Sequence, residues 1–274
     1  MAIKPFKIED LNDDLKPRLN KDIFNLPLNS VNRKLFRKYE FMGIPVPRVN
    51  EMLEACVGKP GLQYWAAGLG STEAYNQAKR YALTCGSFLH EMIENYMKYQ
   101  TDLVLNIYIP EIKDQVNNAY TNFKNWYNSM ISNGYILKPL YTEKEITCPW
   151  YGGTIDCVLN ITHKTKNISD NIILDYKSSK KIDPDYILQT YAYMWSWNWN
   201  KMYIDPSLPE MTGIGILRLD KETFKFDSAF LTKKNNPDEM FRLEQDLASL
   251  VNWFYSIGDV KYALKIAKLN EVVK

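Results

Sequence analysis

Two short apolar runs, each broken by a single acid, constrain this chain more than any other feature. One is Gly152-Gly153-Thr154-Ile155-Asp156-Cys157-Val158-Leu159 and the other is Ile172-Ile173-Leu174-Asp175-Tyr176-Lys177. The polar stretch His163-Lys164-Thr165-Lys166-Asn167 between them suits a hairpin turn. A turn centred near Thr165 puts Asp156 and Asp175 equally far from it, facing each other across an antiparallel pair. Asp175 and Lys177, two apart on one strand, then share a face. Acids isolated in apolar strands cost free energy unless they are paired or bind metal. The arrangement therefore predicts either a buried salt bridge from Lys177 to an aspartate or a metal site.

The flanking segments give these strands a context. Residues 1 to about 70 read as irregular, with prolines punctuating short helical pieces. Helical patterns follow over Thr72–Tyr99 and Glu111–Asn133, the second stopped by Gly134. Strands are predicted at Ile136–Cys148, Gly153–Ile161 and Asn171–Lys177. A helix over Asp183–Asn200, strands at Gly213–Asp220 and Phe224–Leu231, and amphipathic stretches at Asp238–Ser256 and Val260–Asn270 complete the chain. The order predicts an α/β fold: a central mixed β-sheet flanked by helices, with a helical N-terminal part. The expected division is a helical region over 1–135, a core over 136–235 and C-terminal helices over 236–274.

Other polar residues could serve the same patch. The first long helix carries one stripe of Tyr81, Cys85, Phe88, Met92 and Tyr96, and a second of Leu83, Gly86, His90, Glu94 and Met97. His90 and Glu94 share a face at a separation of four. His90 reads as a ligand or as an ordinary helix histidine, and His163 as a turn residue. Glu143 and Glu145, in the strand before the Gly-Gly pair, read by themselves as a solvated strand face. Gln189 and Tyr193 stand four apart on the helix after Lys177, where a glutamine among aromatics suggests a polar task. Tyr191, Trp195 and Trp199 are expected to pack on the sheet rather than stack on bases. The run Lys177-Ser178-Ser179-Lys180-Lys181 reads equally as a solvated turn and as a phosphate-facing segment.

Composition adds bounds rather than identity. In 274 residues, 46% hydrophobic and 14% aromatic, a large core is available and general disorder is excluded. The net charge of +2 does not bear on nucleic-acid binding, which must rest on local clustering. Cys56, Cys85, Cys148 and Cys157 form no CxxC pair and read as reduced and buried. The start of the chain has no apolar signal-peptide core, and no stretch approaches the roughly 18 apolar residues of a membrane span. A soluble intracellular protein, not bound to membrane, is the expectation. Prominent Asn, Lys, Ile and Tyr suggest an AT-rich genome, as in a phage or a low-GC bacterium.

Taken together, His90-Glu91, Glu143, Gly153-Thr154-Ile155-Asp156, Asp175-Tyr176-Lys177 and Gln189-Thr190-Tyr191-Ala192-Tyr193 resemble the RecB-like branch of the PD-(D/E)XK nucleases in order and spacing. Pro47-Arg48-Val49-Asn50, Leu62-Gln63-Tyr64-Trp65 and Ala78 leading into Cys85-Gly86-Ser87-Phe88-Leu89-His90 look like mitochondrial genome maintenance exonucleases and their phage relatives. That family often has Ser-Val-Thr where this chain has Arg48-Val49-Asn50. The resemblance implies a restriction-endonuclease-like core and a metal-dependent DNA exonuclease of replication, recombination or repair. It implies Mg²⁺ or Mn²⁺ held by His90, Asp156, Asp175 and the Tyr176 carbonyl, with Glu94 and Glu143 in support. Lys177 would orient water, Gln189 and Tyr193 would support the ligands or hold the substrate backbone, and Ser178, Ser179, Lys180 and Lys181 would meet DNA. It further implies a substrate with free ends, single-stranded by preference, in the cytoplasm of a bacterial or phage-infected cell. No cysteine follows Cys157, so an iron–sulfur cluster placed after the core, as in some relatives, is not expected. Two other readings stay open: a catalytically silent DNA-binding or recombination-mediator protein, and a nuclease acting on structured RNA.

Overall fold

The computed structural model describes residues 38–57, 68 and 70–255. The expected amphipathic stretch Val260–Asn270, most of the proline-punctuated start and Leu62-Gln63-Tyr64-Trp65 lie outside the described residues. The described part opens with a two-residue hairpin joining β1 (Tyr39–Phe41) to β2 (Ile44–Val46). Met42 and Gly43, at φ 48° and 78°, form its turn, with both central residues left-handed as a tight hairpin requires. Three-residue strands carry too little periodicity to stand out among prolines, so the sequence reading had only short helical pieces here. One such piece exists, α1 (Val49–Cys56), which buries Val49, Met52 and Leu53.

Two long helices follow, α2 (Thr72–Tyr99) and α3 (Pro110–Ser132). Ser71 caps α2 by accepting from the Ala74 N–H, and Gln100 ends it in the left-handed region. The buried stripe of α2 is Cys85, Leu89, Met92, Ile93 and Met97. This corrects the sequence reading: Leu89 and Ile93 lie at the centre of the contact, whereas Leu83 is exposed. His90 consequently sits on the flank of the packed stripe, next to the buried Leu89.

Five strands form one sheet in the order β3 (Tyr135–Thr147), β4 (Gly152–His163), β5 (Ser169–Lys177), β6 (Gly213–Leu219) and β7 (Phe226–Thr232). Neighbours are antiparallel except β5 and β6, which are parallel because α4 (Pro184–Tyr203) crosses between them. The sheet is thus mixed and flanked by helices, as the α/β reading expected. On one face, Cys157, Leu159, Leu174, Tyr176 and Leu217 pack against α2 and α3. On the other, Val158, Ile173 and Ile214 pack against α1, α4, the β1–β2 hairpin and α5 (Pro237–Trp253). Tyr191 and Trp199 are buried in this second core and Trp195 packs beside it, so these aromatics serve the sheet as expected. Each fully buried aliphatic or aromatic side chain contributes about 1.5–3 kcal/mol to this packing.

The four cysteines form no disulfide with one another; Cys85, Cys148 and Cys157 are buried and Cys56 is half-buried. His163, expected in the turn, instead ends β4, and its Nδ1 accepts from the Thr165 and Lys166 N–H groups of the turn at 3.1 Å. No helix among the described residues is long and apolar enough to cross a membrane.

Candidate metal centre

The β4–β5 register runs from Thr162 opposite Ser169 to Cys157 opposite Leu174. The ladder ends there, one position short of Asp156 and Asp175, and the Tyr176 N–H is taken by the Asp156 carboxylate instead of a main-chain carbonyl. On the other edge of β4, Thr142 pairs with Cys157 and Lys144 with Ile155, so Glu143 falls opposite Asp156. The three acids thus come from neighbouring positions on three successive strands. Asp175 and Lys177 follow Ile173 by alternation and stand on the α4 side.

His90 reaches these acids from α2. Its Nδ1 lies 3.5 Å from Asp156 Oδ1 and 3.6 Å from Glu143 Oε1, while Nε2 is 3.3 Å from the Tyr176 carbonyl oxygen. One ligand atom from each of His90, Glu143 and Asp156 lies within 4.8 Å of the others. Burial alone would disfavour a charged imidazole, but the Asp156 and Glu143 carboxylates outweigh it and hold His90 up at about 9. With Nε2–H donating to the Tyr176 carbonyl, Nδ1 is the nitrogen turned to the acids. Asp156 is fixed by its other oxygen, which accepts from the Tyr176 N–H at 2.8 Å.

Glu143 was expected as a supporting residue, and the structure brings it into the cluster itself. Its backbone is left-handed, at φ 46°, inside a strand. Just before it the ladder shifts by one residue between Pro139 and Tyr141. A left-handed residue with a side chain costs roughly 1–2 kcal/mol, which is stored here beside the acids.

Asp175 takes a different position from the one expected of an equal partner to Asp156. Its carboxylate, 3% exposed, lies 2.7 Å from the Lys177 ammonium. Burial pushes the Asp175 carboxyl up, Lys177 opposes this, and the neighbouring Asp156 reinforces it. The Lys177 ammonium also donates to Gln189 Oε1 at 3.2 Å, and Gln189 Nε2 donates to the Tyr193 hydroxyl at 2.8 Å. A continuous chain therefore runs Asp175–Lys177–Gln189–Tyr193 from the sheet into α4. Gly153 makes room for its far end, since a Cβ there would lie 2.2 Å from Tyr193 Cε1.

Glu94 shares the His90 face but does not join the acids. It is held by Lys98, one turn on, at 2.5 Å and accepts from the Thr142 hydroxyl at 3.3 Å. Ser178 and Ser179 line a pocket of about 320 Å³ next to His90. Lys180 and Lys181 do not line it; Lys181 turns to Asp183 at 2.9 Å. The pocket's other cation is Lys221, from the β6–β7 turn, which nothing in the sequence singled out.

The donor set suits a hard divalent cation, with two carboxylates and one imidazole nitrogen, whereas the Tyr176 carbonyl, expected as a ligand, lies at Nε2 on the other side of the ring from the acids. With His90 Nδ1 3.5 Å from Asp156 and 3.6 Å from Glu143, the three ligand atoms are near enough for one ion to be within reach of all of them. No protein-family model matches this chain, and no curated protein matches it.

Proposed function

We propose that this chain is a metal-dependent nuclease that hydrolyses phosphodiester bonds in DNA, working from strand ends with a preference for single strands. The observation that carries the reading is the convergence of His90, Glu143 and Asp156 beside the buried Lys177 ammonium. Acids gathered around one histidine are short of positive charge, and a lysine in reach is what phosphodiester hydrolysis needs next to a metal. The resemblance to RecB-like PD-(D/E)XK nucleases, seen in the order of the same residues, supports this choice of chemistry and of substrate.

His90, Glu143 and Asp156 would hold Mg²⁺ or Mn²⁺, and the Tyr176 carbonyl, accepting from Nε2–H, would orient the imidazole rather than join the ligands. Asp175 would divide its carboxylate between the ion and Lys177. The ion, when bound, polarises the phosphate and lowers the pKa of a water. Binding displaces the proton of His90, so it competes with protonation. Lys177 stays charged, because Asp175 and Asp156 raise its pKa against burial. Its ammonium would orient the attacking water and stabilise the negative charge that develops on the phosphoryl oxygens. The water oxygen bonds to phosphorus as one ester P–O bond breaks, and the departing oxygen leaves protonated. Gln189 and Tyr193 fix the direction of the Lys177 ammonium rather than touching substrate.

End-labelled linear single strands, single-stranded circles and duplexes, each incubated with Mn²⁺ or with excess EDTA, test the reading. The linear strand is shortened in Mn²⁺, intact in EDTA, and degraded well ahead of the circle and the duplex. Undiminished cleavage in EDTA, or intact DNA in every metal arm, overturns the proposal. Rapid loss of the circle replaces end-dependence with an open endonuclease groove.

A further inference from the structure

The pocket beside His90 is bounded by Lys177, Ser178, Ser179, Tyr186 and Lys221, and no carboxylate lines it among the described residues. The first cation is already committed, since Lys177 faces Asp175 at 2.7 Å. Lys221 has no ion pair or side-chain hydrogen bond among the described residues. It stands on the far wall, where its charge reaches α2 and partly offsets the burial that pushes the Cys85 thiol up.

A lysine on a hairpin tip is ordinarily a solvated, mobile charge. This tip is held from several sides. Asn122, fully buried on α3, donates to the carbonyls of Asp220 and Thr223 at 2.8 Å. Asn118, one turn earlier, donates to the Lys221 carbonyl itself at 3.2 Å. Asp220 accepts from the Glu222 and Thr223 N–H groups and from Arg218, and Arg218 also reaches the Ser179 carbonyl on the opposite wall at 3.3 Å. These bonds fix the backbone of the turn and so the point from which the Lys221 side chain reaches into the pocket.

We infer that Lys221 is a substrate-positioning residue. It binds a phosphate of the nucleic-acid strand other than the one being cleaved, while the Ser178 and Ser179 side of the pocket and the Tyr186 ring border the same nucleotide unit. This rests on the nuclease reading above. The ligand class follows from the lining: hydroxyl donors and an ammonium without an ion pair among the described residues, beside a Tyr186 ring that already carries the Lys177 ammonium over one face.

The experiment measures binding and turnover separately. A fluorescent single-stranded oligodeoxynucleotide is titrated with the full chain in EDTA by anisotropy across a salt series, and cleavage kinetics are recorded in Mn²⁺. Lys221→Ala weakens binding roughly 3- to 10-fold and lowers the slope of log K against log salt by about 0.7, one single-strand phosphate. KM rises by a similar factor while kcat stays within about twofold. Lys221→Arg restores most of the affinity, and Lys221→Glu weakens binding further than the alanine. An uncharged methylphosphonate placed at the contacted position abolishes the difference between native and Lys221→Ala protein, a result that a merely structural role does not give. An unchanged salt slope, an unchanged KM, or a kcat loss as large as that of Lys177→Ala overturns the inference. If native protein cleaves and binds normally and Lys221→Ala matches it, only this inference falls. If native protein neither binds nor cleaves the strand, the nuclease reading falls with it.

Discussion

Two groups of carboxylates in this fold are built in opposite ways. At the start of the β6–β7 turn, Asp220 and Asp227 surround Arg218, with contacts of 3.0 Å and 2.6 Å to a guanidinium that is permanently charged. In β3 and β4, Glu143 and Asp156 instead contact His90, at 3.6 Å and 3.5 Å, a cation for as long as it keeps its proton. Asp175 and Lys177 stand between these extremes, paired at 2.7 Å inside the protein. The guanidinium cluster is electrostatically complete and ties strands together. The histidine cluster is complete only when protonated or when another cation takes the proton's place. That difference separates structural acids from candidate ligands more sharply than exposure does.

The largest effects come from breaking the incomplete cluster. Asp156→Asn removes a carboxylate that contacts His90 and fixes the Tyr176 N–H, so Mn²⁺ binding measured by calorimetry disappears. Turnover falls on the order of a thousandfold or more, equivalent to about 4 kcal/mol. Lys177→Ala also removes turnover but leaves Mn²⁺ affinity within a few-fold of native. If Lys177→Ala loses metal as completely as Asp156→Asn, the lysine belongs to the metal site and the division between the two groups is wrong.

The grouping of the acids was legible in the sequence because strands are periodic. Asp156 and Asp175 interrupt apolar runs at equal distances from a polar turn, and the ladder register follows that symmetry. The helix and strand limits fell within a few residues for the same reason, each long element carrying caps or alternation over many positions. The part played by Glu143 was not legible. It depends on the one-residue shift near Leu140 and on a left-handed backbone, neither of which alters the pattern of residue types. Glu94 shows the converse error, since helical spacing put it beside His90 but Lys98 four residues on claimed it. Lys221 was invisible because what places it is Asn118 and Asn122, about a hundred residues away on α3.

A middle-sized effect tests whether strain is stored among the ligands. Among the described residues three non-glycines have positive φ: Met42 in a turn, Gln100 at a helix end, and Glu143, which alone lies within a strand. Glu143→Gln and Glu143→Gly both remove the carboxylate, and only the second relieves the backbone. Glycine inside a strand normally destabilises by about 0.5–1 kcal/mol relative to alanine. Here the order inverts: the glycine variant is the more stable by about 1 kcal/mol. Its thermal midpoint in metal-free buffer lies roughly 2–4 °C above that of Glu143→Gln. A glycine variant that melts below the glutamine variant removes strain from the account and leaves Glu143 as a carboxylate only.

The smallest effect concerns the complete cluster and gives the comparison its control. Burial acts to raise the Asp220 carboxyl, but the Glu222 N–H, the Arg218 guanidinium and the Thr223 N–H outweigh it and hold the group down at about 2, against 3.8 for an unperturbed aspartate. A carboxyl with a folded-state pKa below its unfolded one contributes stability that is fully present above the unfolded value. That contribution is lost as pH falls through the folded value, here between about pH 4 and pH 2. The side chain is 23% exposed, so solvent screening limits the contribution to the order of 1 kcal/mol. Urea midpoints of native protein and Asp220→Asn therefore differ at pH 7 and converge towards pH 2. Metal should not enter this at all. Adding Mn²⁺ at pH 7 raises the midpoint of native and Asp220→Asn protein equally, because the proposed ion site is a different cluster of the folded state. An Asp220→Asn variant that loses the Mn²⁺-dependent increment would show that the two carboxylate groups are coupled through Arg218 and Ser179, and that the apparently complete cluster also supports the metal centre.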